Sequence, residues 1–459
     1  MEVLRKAFEL ASDYLGKARE RFVGPRASRE ELLAALSGPL ADEGEEPVAA
    51  LARFARAMDP GLVANAGPRY FGFVTGAGLP SALAADWLAS AWNQNVALNA
   101  LSPAGAAAEE VAIGWLRELL GLPAHASCGF TTGGQTANFT CALAARNEVL
   151  RRAGWDVERD GLQGAPRVRV VVGDEVHVSM LAALRMLGIG SGAVERVAVD
   201  GQGRMVAAAL ERLLREARGP LIVCAQAGNV NTGAFDPLEA IVRATHERGG
   251  WVHVDGAFGL WAAASPSMRG LVAGHAGADS WATDGHKWLN VPYDCGLAFT
   301  AHPQAHRAAT TASAAYLTSA QGPERQPFEW VPESSRRGRA LPVYVALRTL
   351  GRRGVEGLVE RCCAIARRMT AALGAGGGVR VLNEVVLNQV LVRFGESDER
   401  TRAVVAEVQR DGTCWVGGTV WQGVAAMRIS VSGWNTTERD ADRSVEAILR
   451  AAESVSAVC

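Results

Sequence analysis

Between residues 66 and 345, short apolar runs rich in Val, Ile and aromatic residues alternate with longer stretches rich in Ala, Leu and Arg. The short runs predict strands at 168–172, 221–225, 251–254, 280–283 and 297–300, and the longer ones predict helices at 136–153, 178–187, 206–217 and 238–248. Such alternation predicts an α/β unit, a mostly parallel sheet covered by helices on both faces. The pattern changes over 346–459. A helix at 355–373 gives way to Gly374-Ala-Gly-Gly-Gly378, then to strands at 379–382 and 389–394, a helix at 399–411, a strand at 426–431 and a closing helix at 437–452. That mixture predicts a smaller C-terminal α+β domain. Residues 1–65 read as helical, with Leu4, Phe8, Ala11 and Leu15 at amphipathic spacing and a second helix at 30–36. A helical pair of this size forms no core alone, so it is expected to cover the main body or a partner subunit.

Composition narrows the classes. The 459 residues are 49% hydrophobic with a formal net charge of -1, enough to bury a large core and without the broad basic field that nucleic acid or an anionic membrane would call for. The first ten residues interleave charge with apolar side chains, unlike a secretion signal, and no apolar run approaches the roughly 20 residues of a membrane span. Eight cysteines (128, 141, 224, 295, 362, 363, 414 and 459) show no metal-ligand spacing. They read as reduced, buried thiols of a cytoplasmic protein that holds no metal.

Lysine is the anomaly. Only three of the 47 basic residues are Lys, namely Lys6, Lys17 and Lys287. Lys287 lies in Asp284-Gly-His-Lys287 at the end of a predicted strand. A chain that writes nearly every cation as Arg, yet keeps a Lys there, points to use of the amine, because guanidinium stays protonated and forms no imine.

Three further positions fall at strand ends or helix starts, which converge beyond the carboxyl ends of the strands in a doubly wound sheet. Thr131-Thr-Gly-Gly-Gln-Thr-Ala-Asn138 enters a long helix, so Gly134, Gln135 and Thr136 offer amides and side chains to an anion; alone, the same motif is a turn. His177 follows a strand and reads equally as a ring that stacks on a heteroaromatic group or as a core histidine. Asp255 ends the apolar run Trp251-Val-His-Val-Asp255, where a carboxylate needs a cation. A protonated pyridine nitrogen is one such cation, with small Ala257 leaving room for a flat ring. A metal is the other, with His253 on the same strand face, although a closed site needs about four ligands. An aldehyde that carries a phosphate, a pyridine nitrogen and an aromatic ring answers all four positions, and that description fits pyridoxal 5'-phosphate.

On these motifs, roughly residues 65–450 resemble the pyridoxal-dependent group II decarboxylases, relatives of aromatic amino acid and glutamate decarboxylases. The block from His253 to Gly296 carries most of the resemblance. The resemblance implies the PLP-dependent transferase fold of aspartate aminotransferase type (fold type I), a homodimer, and an amino acid substrate. It implies that Lys287 is the Schiff-base lysine, Asp255 the partner of the ring nitrogen, His177 the stacking residue and Ala257 the packing residue on the other face. Gly134, Gln135, Thr136, Asp284 and His286 match positions around the phosphate and imine. Two departures stand out. Asp284-Gly-His-Lys287 replaces the Asn-Pro-His-Lys of animal aromatic decarboxylases, and Gly228-Asn-Val-Asn-Thr-Gly233 replaces a Thr-rich stretch, leaving Asn229 to support the cofactor and Asp255.

The expected reaction is loss of CO2 from an L-amino acid to give the amine. Protonating the α-carbon needs a placed acid in a water-poor site, and Tyr316 matches the family's mobile-loop tyrosine. On the substrate side the resemblance points to Phe71, Phe73, Trp92 and Arg428, with Phe73 favouring an aromatic or other apolar side chain. A lyase or aldehyde-forming relative, a glutamate-type decarboxylase and a cofactor-binding protein without turnover are the alternatives.

Overall fold

The computed structural model describes residues 1–311 and 324–456. The chain divides into two compact units. One comprises residues 78–364 and 383–389; the other comprises 1–77, 365–382 and the chain from 390 onward.

The larger unit is built on a seven-stranded sheet of β1 (Ser127–Thr131), β2 (Arg169–Gly173), β3 (Val194–Val197), β4 (Leu221–Gln226), β5 (Trp251–Asp255), β6 (Ser280–Asp284) and β7 (Gly296–Thr300), in the order β1-β7-β6-β5-β4-β2-β3. Strands β6, β5, β4, β2 and β3 run parallel, and β7 is antiparallel to both β6 and β1. The expected mostly parallel α/β sheet is therefore present. The sequence pattern missed β1 and β3. The former, Ser-Cys-Gly-Phe-Thr, is short and interrupted by glycine; the latter, Val-Glu-Arg-Val, is a four-residue edge strand with charged positions. The central strands are apolar because helices cover both faces, and β4 and β5 are buried along their whole length.

Packing sets where the helices begin. Val170, Val172, Ile222, Cys224 and Trp251 from three strands meet Ala142, Ala145, Val149, Met180 and Leu184 from the helices Gly134–Arg152 and Val178–Met186. Toward its start the first of these helices lies on small residues, with Ala137 and Cys141 against the cross-strand pair Ala282 and Ala298. Small side chains on both surfaces permit close approach and hold the start of the helix at the carboxyl edge of the sheet. At that edge, a Cβ on Gly296 would stand 2.5 Å from the carbonyl carbon of Gly133, so the beginning of β7 and the Gly133 turn are in backbone contact.

The other unit carries a four-stranded sheet of β8 (Val379–Val381), β9 (Gln389–Phe394), β10 (Gly417–Trp421) and β11 (Val424–Ser430) in the order β10-β11-β9-β8, the expected α+β mixture. It also holds the N-terminal helices Glu2–Lys17, Arg29–Leu36 and Pro47–Met58. Ser28 and Glu31 form a capping box, each side chain accepting from the other's backbone amide. Leu4, Phe8, Leu15, Leu36 and Phe54 on these helices remain exposed. The predicted helix at 355–373 is the second half of Ala340–Gly374, which is broken at Gly351 (φ 60°). Among the described residues no helix is long and apolar enough to cross a membrane.

Candidate active site

The strand directions place the ends of β1, β2, β4, β5 and β6, and the start of the antiparallel β7, at one edge of the larger sheet. Most of the predicted site residues in this unit sit there. Lys287 follows β6, and its Nζ lies 2.9 Å from Asp284 Oδ2. Asp284 is 1% exposed, and its second oxygen, Oδ1, is buried without a hydrogen-bond partner. Burial pushes the pKa of the Lys287 amine down, but the Asp284 carboxylate more than offsets this, so the value is raised and the group is held as an ammonium.

The glycine turn wraps this pair. A Cβ on Gly134 would stand 2.7 Å from Asp284 Oδ2, and one on Gly133 would stand 3.2 Å from His286 Cε1. Glycine is therefore required for the helix start to reach the carboxylate. No side chain caps that helix; its first intrahelical bond runs from the Ala137 amide to the Gly133 carbonyl. Gln135 is exposed, and Thr136 shares a 2.8 Å hydroxyl contact with Thr132. His286 Nδ1 accepts the Cys295 amide at 3.1 Å and its ring stacks on Tyr293, while burial holds its pKa down and the imidazole neutral.

Asp255 ends β5 and is 7% exposed. Its Oδ2 accepts from Asn138 Nδ2 at 2.8 Å and its Oδ1 from the Ala257 amide at 3.2 Å. The carbonyl of Ala257 in turn accepts the Asp284 amide at 3.0 Å, tying the two carboxylate-bearing loops together. His177 caps the helix Val178–Met186: its Nδ1 accepts the Ser179 amide at 3.3 Å and contacts Ser179 Oγ at 2.7 Å. Because Nδ1 accepts, the proton of a neutral ring sits on Nε2. Asn229 is a turn former. Its Oδ1 accepts the amides of Asn231 and Thr232, and its Nδ2 donates to the Glu175 carbonyl, bracing the loop before His177.

The metal alternative at His253 meets a physical obstacle. Its Nδ1 is bonded to Ser280 Oγ at 2.9 Å and its Nε2 to Asn138 Oδ1 at 2.9 Å, so both ring nitrogens are engaged with neutral groups. Among the described residues no cluster of three or more His, Cys, Asp or Glu could hold an ion. The sequence reading missed Asn138, Ser179 and Ser280, which join these side chains.

The remaining predicted residues are dispersed. Trp92, in the larger unit, ends the helix Pro80–Trp92 and is 55% exposed. In the other unit, Phe71 is a core residue at 1% exposure, whereas Phe73 is 65% exposed with a positive φ of 51° and its ring 5.6 Å from Trp415, which stacks on Tyr70. Arg428 lies on β11 opposite Gly417 and is largely buried, which lowers its pKa. Tyr316 lies outside the described residues.

Residues 32–394 match the family model described as the pyridoxal-dependent decarboxylase conserved domain. Aromatic-L-amino-acid decarboxylase of Bacillus atrophaeus is 27% identical over 470 residues, covering 98% of this chain and 95% of that protein. Acidic amino acid decarboxylase of Bos taurus is 31% identical over 365 residues, covering 77% of this chain and 68% of that protein. The crystal structure of Oryza sativa TDC with PLP and tryptamine superposes with a TM-score of 0.91 at 23% identity, covering 99% of this chain and 97% of that one. The chain belongs to the pyridoxal-dependent decarboxylase family: it is a carboxy-lyase acting on amino acids, with pyridoxal phosphate as its cofactor.

Proposed function

We propose that this protein converts an L-amino acid with an aromatic or other apolar side chain to its amine and CO2, using the edge of the seven-stranded sheet to hold pyridoxal phosphate. The observation that carries the reading is the Lys287–Asp284 pair beside an uncapped helix start, with a second carboxylate, Asp255, on the neighbouring strand. The donor set fits the cofactor group by group. The free amides at Gly134, Gln135 and Thr136, at the positive end of a 19-residue helix, suit a phosphate, and a side chain on Gly134 would fill the cradle. Asp255 suits a protonated ring nitrogen, and Lys287 an aldehyde. Asp284 places a negative charge near the phosphate cradle, which the Lys287 ammonium neutralises while the amine is free.

When bound, pyridoxal phosphate supplies an electron sink for the pair left at the α-carbon as CO2 departs. The chain's own residues do the rest. Lys287 would hold the cofactor through its amine, Asp255 would keep a proton at the ring nitrogen, His177 would cover one face of the ring and the small Ala257 would leave space for the other. Asn229 and His286 brace the surrounding loops. Phe71, Phe73, Trp92 and Arg428 are the residues we assign to the substrate, and Tyr316 is the acid that would protonate the α-carbon. Support for an aromatic side chain comes from the exposed Phe73 beside Trp415 and from the full-length likeness to an aromatic-L-amino-acid decarboxylase. The exposed apolar residues of the N-terminal helices support a homodimer, and seven buried free cysteines among the described residues support a reducing, cytoplasmic location.

The test is mass spectrometry of products after the protein and its Lys287→Ala variant meet pyridoxal phosphate and a pool of the standard amino acids. Amine from the parent alone is expected and names the substrate; no amine from the parent overturns the reading. Tyr316→Phe is expected to keep the cofactor while losing amine or turning to aldehyde, and unchanged amine turnover would remove Tyr316 from the mechanism.

A further inference from the structure

Behind the proposed cofactor cradle, five side chains form one line of hydrogen bonds inside the sheet and the helix that covers it. Trp251 Nε1 donates to Ser280 Oγ at 2.9 Å; Ser280 Oγ contacts His253 Nδ1 at 2.9 Å; His253 Nε2 contacts Asn138 Oδ1 at 2.9 Å; and Asn138 Nδ2 donates to Asp255 Oδ2 at 2.8 Å. Trp251, Ser280, His253 and Asn138 are each fully buried at 0% exposure. The parallel register puts His253 beside Ser280, and the start of the helix Gly134–Arg152 brings Asn138 over both.

The donors and acceptors admit one direction. A carboxylate only accepts, so Asn138 must turn its NH2 toward Asp255 and its carbonyl toward His253. An amide carbonyl only accepts, so the proton of His253 is on Nε2. A neutral ring then accepts at Nδ1, and the Ser280 hydroxyl, already accepting from Trp251, donates into it. Burial pulls the pKa of His253 down to about 4, so the ring is neutral at physiological pH and adds no charge to the line. Each bond therefore points toward Asp255. Asn138 Nδ2 also reaches Ser179 Oγ at 3.5 Å, and Ser179 Oγ contacts His177 Nδ1 at 2.7 Å, so the same amide stands between the carboxylate and the proposed stacking ring.

We infer that Asn138 and His253 are positioning residues for Asp255: the directed line fixes the carboxylate as a charged acceptor aimed at the cofactor's ring nitrogen. This rests on the reading of Asp255 as the partner of that nitrogen. A metal role for His253 is a different idea, since both of its nitrogens serve the line. Asn138 and His253 are too deeply buried to touch the cofactor themselves, and their effect passes through Asp255.

The test compares two probes on the full-length protein stripped of cofactor. One is pyridoxal phosphate; the other is its analogue with carbon in place of the ring nitrogen. Equilibrium dialysis gives the affinity ratio between them for the parent, Asp255→Ala, Asn138→Leu, His253→Phe and His253→Gln. The parent should prefer the natural cofactor, and Asp255→Ala should lose that preference. Asn138→Leu and His253→Phe should lose about tenfold or more of it, the size of a hydrogen bond to a charged group, with the analogue's affinity little changed. His253→Gln, whose amide can donate where Nε2 did, should recover most of the ratio. Ser280→Ala, which removes one hydroxyl far from the cradle, stands in if the larger changes prevent folding, and should lower the ratio less. Equal losses for both probes, or an unchanged ratio in the variants, would overturn the positioning role while leaving Asp255 intact. A parent that does not distinguish the probes would instead overturn the reading of Asp255, and the inference with it.

Discussion

Strand β6 is flanked by a buried aspartate at each end, and the two are treated in opposite ways. Asp279, just before the strand, is saturated: Oδ1 accepts from His302 Nε2 at 2.7 Å, and Oδ2 accepts from His246 Nε2 at 2.9 Å and from the Val252 amide at 2.7 Å. Asp284, the last residue of the strand, has one oxygen on the Lys287 ammonium and the other without a hydrogen bond, 3.6 Å from Nε2 of the His286 ring. Both are almost fully enclosed, at 6% and 1% exposure. A carboxylate whose lone pairs are all used fastens local structure, whereas one left partly unused beside a half-buried amine has capacity for a ligand. Burial alone does not separate the two cases; the fate of each oxygen does.

Lys287→Ala gives the largest expected effect. Amine formation should fall by at least about three orders of magnitude, and borohydride reduction should no longer fix the cofactor to the chain, read as the absence of the adduct in the intact mass. A persistent adduct would place the reactive amine elsewhere. Asp279→Asn comes next. An Asn amide would turn a donor toward one of three existing donors, so stability should drop by about 1–3 kcal/mol in urea unfolding while cofactor content stays at the parent level. Its pH dependence has a definite sign. Burial pushes the Asp279 pKa up, but bonds from His302, the Val252 amide and His246 outweigh this and hold it below the ordinary value. The stability it contributes is therefore present above the unfolded pKa near about 3.9 and is lost as pH falls through the lower folded pKa, a loss the variant should lack. Asp284→Asn should show the smallest change. Without the carboxylate, burial dominates and the Lys287 pKa falls, so more neutral amine is available at a given pH. The pH midpoint for cofactor capture by the stripped protein should move down by about one unit, and an unmoved midpoint would show that Asp284 does not control the amine.

The contrast between these carboxylates was only half visible in the sequence. The catalytic-looking end announced itself, because Lys287 is an oddity in an Arg-rich chain and Asp255 closes an apolar strand. The central strands were equally legible, since fully covered parallel strands are continuous apolar runs. What did not show was anything that depends on register or on the face of a helix. His246 and His302 reach Asp279 from different elements, and Asn138 looks like an ordinary polar residue in a helix. One signal was present: Asn138 stands four residues before Ala142, on the small-residue stripe that packs against the sheet, where an amide has no reason to sit unless something inside bonds to it.

The scarcity of lysine has a practical side. Lys6 pairs with Glu9 and Lys17 with Asp13, both on the exposed helix Glu2–Lys17, so every lysine other than Lys287 lies on one short rod at the start of the chain. Reagents that seek primary amines, whether fluorophores, crosslinkers or activated beads, will attach the protein through that rod and the α-amino group. With a cofactor shielding Lys287, such labelling would stay clear of the larger sheet without redesign of the surface.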